Sequence, residues 1–245
     1  MSPSLRHLEL ADVPVATPTG RLVGASGLLL ESVGCQLSTG QRCQIETASG
    51  GWIEAQVVGF RDKVSYLMPF RTPTGLSTGA RVLPVSDRAP LMIGKSWLGR
   101  MVNGLGEPID DRGRLGGEHV LPPVPPKVNP LKKRRVEERL DVGVRAINGM
   151  LTLGKGQRVG LMAGSGVGKS VLLGLITRQT VVDVVVVGLI GERGREVREF
   201  IELSLGEAGL RKAVVVVAPA NESPLMRLMA TDLCHSIAAH FRDQG

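Results

Sequence analysis

Apolar and polar positions alternate in short runs through the first third of the chain, then give way to longer and denser apolar runs. Between Arg21 and about Val85 the β-like runs are Leu28 to Glu31, Arg42 to Glu46, Ile53 to Phe60, Ser65 to Met68 and Ala80 to Leu83. Glycine-bearing turns at Thr39-Gly40 and Ser49-Gly50-Gly51 separate them. Several short strands at this spacing predict a small closed β-barrel. It has neither clustered carboxylates nor a nucleophile beside a base, so its expected role is assembly. The polar, proline-broken residues 1–20 are expected to form a mobile leader.

Beyond residue 88 the period changes. Gly94 to Asp111 has short apolar segments bracketed by the turn signals Asn103-Gly104 and Glu107-Pro108. His119 to Pro130 reads HVLPPVPPKVNP, and its five prolines predict an extended, semi-rigid connection. Asp141 is placed to cap a helix carrying Val144, Ile147 and Leu151. Arg158 to Met162 has strand length, and from Lys169 the residues Val171, Leu172, Leu175 and Ile176 have helical spacing. Asp183 to Ile190, DVVVVGLI, is an apolar β-branched run of the kind buried on both faces of a parallel sheet. Strand, helix and strand make a βαβ unit with a right-handed crossover, both strands ending on one edge of the sheet. A helix from Arg195 to Leu205 has i,i+4 pairs Arg195/Glu199 and Arg198/Glu202. A third strand is expected at Ala213 to Ala218. Ser223 and Pro224 then read as N-cap and first residue of a helix whose apolar side includes Leu225, Leu228, Met229, Leu233, Ile237 and Phe241. The expected organisation is a leader at 1–20, a barrel at 21–88 and an α/β domain at 89–245.

Composition narrows the picture. The 245 residues are 42% hydrophobic, enough for one large core or two smaller ones, and 32 glycines with 15 prolines imply many turns. A formal charge of +7 permits an acidic partner, but aromatics at 3% leave almost nothing for base stacking, so nucleic acid is not expected. The run Lys132-Lys133-Arg134-Arg135, followed by Glu137-Glu138-Arg139, has two readings: a solvated linker face, or a contact with lipid headgroups or a partner. Cys35, Cys43 and Cys234 form no CxxC pair, which favours neither a disulfide framework nor a zinc site and suits a reducing cytoplasm. His7, His119, His235 and His240 have no metal-ligand spacing and read as structural. The N-terminus has no apolar core of signal-peptide length and Val184 to Ile190 is too short to span a bilayer, so a soluble protein is expected.

The chemistry concentrates between Gln157 and Thr180. A strand feeding a helix through Ala163-Gly164-Ser165-Gly166-Val167-Gly168-Lys169-Ser170 is the layout of a P-loop, in which backbone N–H groups and a helix N-terminus face a polyphosphate. Ala163 stands where the strict pattern has glycine. Lys169 is placed to neutralise the β and γ phosphates and the Ser170 hydroxyl to ligate Mg²⁺. Gly191-Glu192-Arg193-Gly194 leaves the carboxyl end of the next strand, the edge where open α/β sheets bind ligands. A carboxylate at Glu192 there can polarise a water for in-line attack, with Arg193 holding charge; the competing reading is a surface cap for the helix that follows.

These residues carry a family resemblance. Leu140 to Gly245 resembles the secretion branch of the rotary ATP synthase family, the flagellar and type III protein export ATPases. The matching segments are LDVGVRAINGMLTLGKGQRVGLMAGSGVGKSVLLG, VVVVGLIGERGREVREFIE and VVVVAPANESPLMRL, and SGLLLESVGCQL, VVGF, YLMPF and LGRMVNGLGEPID extend the likeness to nearly everything after residue 20. The resemblance implies a RecA-like P-loop core with a mostly parallel sheet behind an N-terminal β-barrel. It implies ATP contacts from Ala163 through Val171, Mg²⁺ on Ser170, and Lys169, Glu192 and Arg193 as catalytic residues. It also implies a homohexamer and a cytoplasmic place peripheral to the inner membrane at the export gate. The implied partners are the export apparatus, stalk or regulator proteins and substrate–chaperone complexes. AGSGVGKSVLLG and APANESPLMRL lean to the flagellar branch over the virulence type. Members of the family continue past FRDQG into a Walker B strand, an arginine finger and a helical domain, so the chain reads as C-terminally truncated. Two functions follow: part of an export ATPase, or a nucleotide-binding and assembly module with negligible turnover.

Overall fold

The computed structural model describes residues 18–85, 90–124, 127–164 and 166–244. Most of the expected leader, residues 86–89, Pro125, Pro126, Ser165 and Gly245 lie outside the described residues. The chain divides into two compact units, Met1–Arg88 and Ala89–Gly245.

The first unit is built from β1 (Gly20–Ser26), β2 (Leu29–Val33), β3 (Arg42–Glu46), β4 (Trp52–Arg61), β5 (Val64–Pro69) and β6 (Arg81–Pro84). They close in the order β1-β2-β5-β4-β3-β6. Side chains alternate across each strand, and the inward set Leu22, Leu30, Cys43, Ile45, Val57, Leu67 and Val82 makes one buried cluster. Closure leaves no unpaired edge. The sequence reading had five of these strands and lacked β1, whose two glycines depress β propensity. Gly20, assigned to the expected leader, is instead buried in β1 and pairs with Val82.

In the second unit, β7 (Leu91–Ile93) and β9 (His119–Leu121) pair antiparallel, so the start of the proline-rich connection is a strand. β8 (Met101–Val102), β12 (Val185–Ile190) and β13 (Ala213–Ala218) form a parallel sheet in the order β12-β13-β8. A small pair, β10 (Arg139–Leu140) and β11 (Leu153–Gly154), brackets α1 (Arg145–Met150). The remaining helices are α2 (Lys169–Gln179), α3 (Gly194–Glu199) running into a π-helical stretch Phe200–Leu205, α4 (Gly206–Arg211) and α5 (Pro224–Asp243). All six residues of β13 are buried. Val214, Val216 and Ala218 pack toward Leu233 and Ile237 of α5, while Ala213, Val215 and Val217 pack toward Phe200 and Leu205. Burial on both faces therefore belongs to β13, and β12 is an edge strand with Gly188 exposed, which corrects the reading of DVVVVGLI.

Three further expectations change. Arg158–Met162 forms no strand, and Val159 (59%) and Met162 (94%) are exposed, so the first strand of the expected βαβ unit is absent. A strand needs a ladder neighbour, and among the described residues no strand pairs with this segment. Asp141 does not cap α1, whose N-cap is Val144. Its Oδ1 instead accepts from Gly143 N at 2.7 Å and Asn148 Nδ2 at 2.6 Å. Ser223 does cap α5, accepting from Met226 N at 3.1 Å. On that helix Leu228 is exposed, and Ala230 and Ser236 take the buried positions between Leu225, Leu233 and Ile237.

Candidate nucleotide site

The site is assembled where a glycine turn opens α2. Gly166 (φ 77°) and Gly168 (φ 90°) are left-handed, a conformation that costs a residue with a Cβ roughly 1–2 kcal/mol. A Cβ at either would meet nothing within 4 Å, so open space lies over the loop. The first ladder bond of α2 runs from Leu172 N to Gly168 O at 2.9 Å, which leaves the amides of Lys169, Ser170 and Val171 without helical acceptors. No acidic side chain occupies that first turn. Free amides, the positive end of the helix and a lysine at its start make an anion-seeking surface. Ala163, Gly164, Val167 and Ser170 lie exposed around it.

α2 is seated by a close approach rather than by its apolar side chains. Val171 and Leu173 are exposed, while Gly174 is buried where a Cβ would come within 2.5 Å of Ser204 Cβ and 2.7 Å of its carbonyl oxygen. A helix-interior glycine costs about 1 kcal/mol relative to alanine, so its presence is the sequence signal for such a contact. At the far end, Lys212 Nζ donates to Thr180 O at 2.8 Å.

Glu192 reaches the same place from the sheet. The β12–β13 ladder continues past both strands, Gly191 N donating to Ala218 O at 2.8 Å and Ala220 N to Glu192 O at 2.9 Å. This fixes the backbone of Glu192 at the carboxyl edge of the sheet. Its Oε1 lies 3.4 Å from Lys169 Nζ, with side chains 35% and 42% exposed. Two residues 23 apart in sequence are thus paired in the mouth of the site. Arg193 is not part of that pair. It occupies the N-cap of α3 and faces Glu196 Oε1 at 3.6 Å, on its own helical turn. Arg198 donates to Glu202 at 2.7 Å as the helix pattern predicted. The positioning roles of Gly174, Ser204 and Ala220 were missed from sequence, and only the glycine left a trace there.

Comparison with known proteins places this arrangement. Residues 143–245 match the model of the ATP synthase alpha/beta family, nucleotide-binding domain. The flagellum-specific ATP synthase of Pseudomonas aeruginosa is 51% identical over 98% of this chain and 55% of its own length. The type 3 secretion system ATPase of Xanthomonas euvesicatoria is 41% identical over 97% of the chain and 54% of its own length. Among solved structures, the assembled ATPase EscN in complex with its central stalk EscO, from the enteropathogenic E. coli type III secretion system, superposes with a TM-score of 0.77. It is 35% identical over 92% of this chain and 55% of that one. The chain spans about half the length of the relatives it matches. A left-handed glycine loop opening a helix, a lysine–carboxylate pair across the sheet edge and these matches agree: the chain is similar to the flagellum-specific ATP synthases and type 3 secretion ATPases over nearly its whole length, and residues 143–245 match the nucleotide-binding domain of the ATP synthase alpha/beta family.

Proposed function

We propose that the chain binds MgATP on the loop Ala163–Ser170 and the start of α2, as part of an ATPase that energises flagellar or type III protein export. The Lys169–Glu192 contact at 3.4 Å carries this reading, because it joins a phosphate-seeking cation to a candidate base across the carboxyl edge of the sheet. Open space over Gly166 and Gly168 fits a polyphosphate, and the exposed Ser170 hydroxyl fits a Mg²⁺ ligand. Bound MgATP supplies the phosphoryl group and the charge that neutralises its transfer. The chain's own steps are three. Lys169 leaves Glu192 for the phosphate oxygens; the α2 amides hold those oxygens; Glu192, freed of its cation, orients a water and accepts its proton. Arg193, restrained by Glu196, steadies the mouth of the site in this scheme. Assembly into a homohexamer, a stalk protein, export substrate–chaperone complexes and a cytoplasmic place beside the inner membrane complete the proposal. The assembled relative with its stalk supports the first two. The greater identity to a flagellar relative favours that branch over the virulence type.

Nucleotide titration and steady-state phosphate release on the purified chain test this. Lys169→Ala is expected to weaken ATP binding at least tenfold. Glu192→Gln is expected to bind ATP while losing about 10² to 10⁴ in turnover, the usual contribution of a general base. Hydrolysis by Glu192→Gln at the unmodified rate removes Glu192 from the mechanism. One observation favours the second reading, a binding and assembly module of negligible turnover. Arg158–Met162 enters the loop without a ladder, so the loop has no rigid strand behind it. ATP binding with phosphate release no faster than Lys169→Ala selects that reading.

A further inference from the structure

A cavity of about 340 Å³ opens in the second unit, away from the glycine loop. Lys133 reaches it from the linker, Arg158 from the segment before the loop, and His235 and Arg242 from α5; Ala238 and Ala239 line it as well. α5 begins four residues after Ala220, whose amide is bonded to Glu192. At a rise of about 1.5 Å per residue, His235 lies roughly 17 Å and Arg242 roughly 27 Å along that helix from its start. The cavity therefore belongs to the opposite end of the helix from the Glu192 edge.

Its electrostatics are one-sided. Arg242 is joined to Asp243 at 2.7 Å, but Lys133 and Arg158 have no ion pair among the described residues. A cation in the last turn of a helix offsets its negative end, and this accounts for Arg242. It does not account for Lys133 and Arg158, which arrive from two other segments. Like charges brought to one hollow repel unless an anion lies among them, and no core packing requires them there, since Lys133, Arg158 and Arg242 are all exposed. The small alanine side chains leave depth, and guanidinium and ammonium groups together match the oxygens of a phosphate group.

We propose that this cavity is a binding site for a small phosphate-class anion, either free inorganic pyrophosphate or the phosphate end of a soluble phosphorylated compound. It also gives Lys133 of the basic run a role inside the fold.

Equilibrium dialysis with labelled pyrophosphate, at about 50 mM salt, tests the site on the full chain carrying Lys169→Ala, which disables the glycine loop. Saturable binding is expected, weakened at least tenfold by adding Lys133→Gln and Arg158→Gln, with far-UV spectra and melting unchanged. Arg242→Gln is a second variant with the same expected direction. Competition by ADP in the Lys169→Ala background assigns the anion to a nucleotide's phosphates, and absence of competition assigns it to the free inorganic form; both outcomes uphold the site. No pyrophosphate binding, or binding that the substitutions leave intact, overturns it. So does uptake of an oligoglutamate peptide without uptake of pyrophosphate.

Discussion

Asp110 is a carboxylate with only 1% of its side chain exposed, held by one guanidinium and two backbone amides. Arg100 donates to it from Nε at 2.7 Å and from a terminal nitrogen at 2.8 Å, and Met101 N and Arg112 N donate at 3.1 and 3.2 Å. The Arg100 guanidinium beside it lowers its pKa to about 2 against its burial. A depressed carboxylate stabilises the fold fully above its unfolded pKa, roughly 3.9, and that stability is lost as pH falls through about 2. Acid titration of the melting temperature is therefore expected to fall between about pH 4 and pH 2, and Asp110→Asn to flatten that fall. Removing one partner of an enclosed ion pair costs about 3–5 kcal/mol, so Asp110→Ala should lower stability by that order in urea unfolding. The Lys169–Glu192 pair behaves differently: it is half open to water, adds about 1 kcal/mol or less, and is free to be exchanged for a ligand.

At the scale of elements, α2 depends on Gly174. A Cβ added there would come within 2.7 Å of the Ser204 carbonyl oxygen, a backbone clash that no rotamer change relieves. Gly174→Ala is expected to destabilise the second unit by about 1–3 kcal/mol, the usual cost of overpacking, despite alanine's better helix propensity. A chain with Gly174→Ala that melts at or above the unmodified temperature refutes the close seat. Loss of the α5 cap in Ser223→Ala should cost about 1 kcal/mol. β13, α2 and α5 were legible in the sequence because each signal was local: a run of β-branched residues, a glycine turn before a 3.6 period, a Ser-Pro start. What escaped was set by partners distant in sequence. Arg158–Met162 has the composition of a strand, but a strand exists only with a neighbour to bond. The helix after Arg193 kept its expected ion pair at Arg198 and Glu202, yet its passage into a π stretch at Phe200 depends on packing that no period encodes. In the site, the glycine loop and Glu192 could be read in advance, while their contact at 3.4 Å required the sheet.

For the molecule as a whole, apolar surface is concentrated around the approach to the site. Met150 (85%), Leu151 (70%), Val159 (59%), Leu161 (42%) and Met162 (94%) are exposed within thirteen residues of sequence. Exposed apolar groups of this kind and an unpaired extended backbone favour association. The purified chain is expected to bind a hydrophobic dye and to melt in a concentration-dependent way, and Leu161→Lys with Met162→Lys should reduce both. A concentration-independent, cooperative melt without dye binding contradicts this. Among the described residues no helix is long and apolar enough to cross a membrane. The two hydrogen bonds that extend the ladder beyond β12 and β13 have a mechanical side. Glu192 is stitched through Ala220 to the start of a twenty-residue rod, α5, whereas Lys169 rides on α2 and its glycine seat. A shear between those two bodies would alter the lysine–carboxylate separation of 3.4 Å, and so act at the group proposed to activate water.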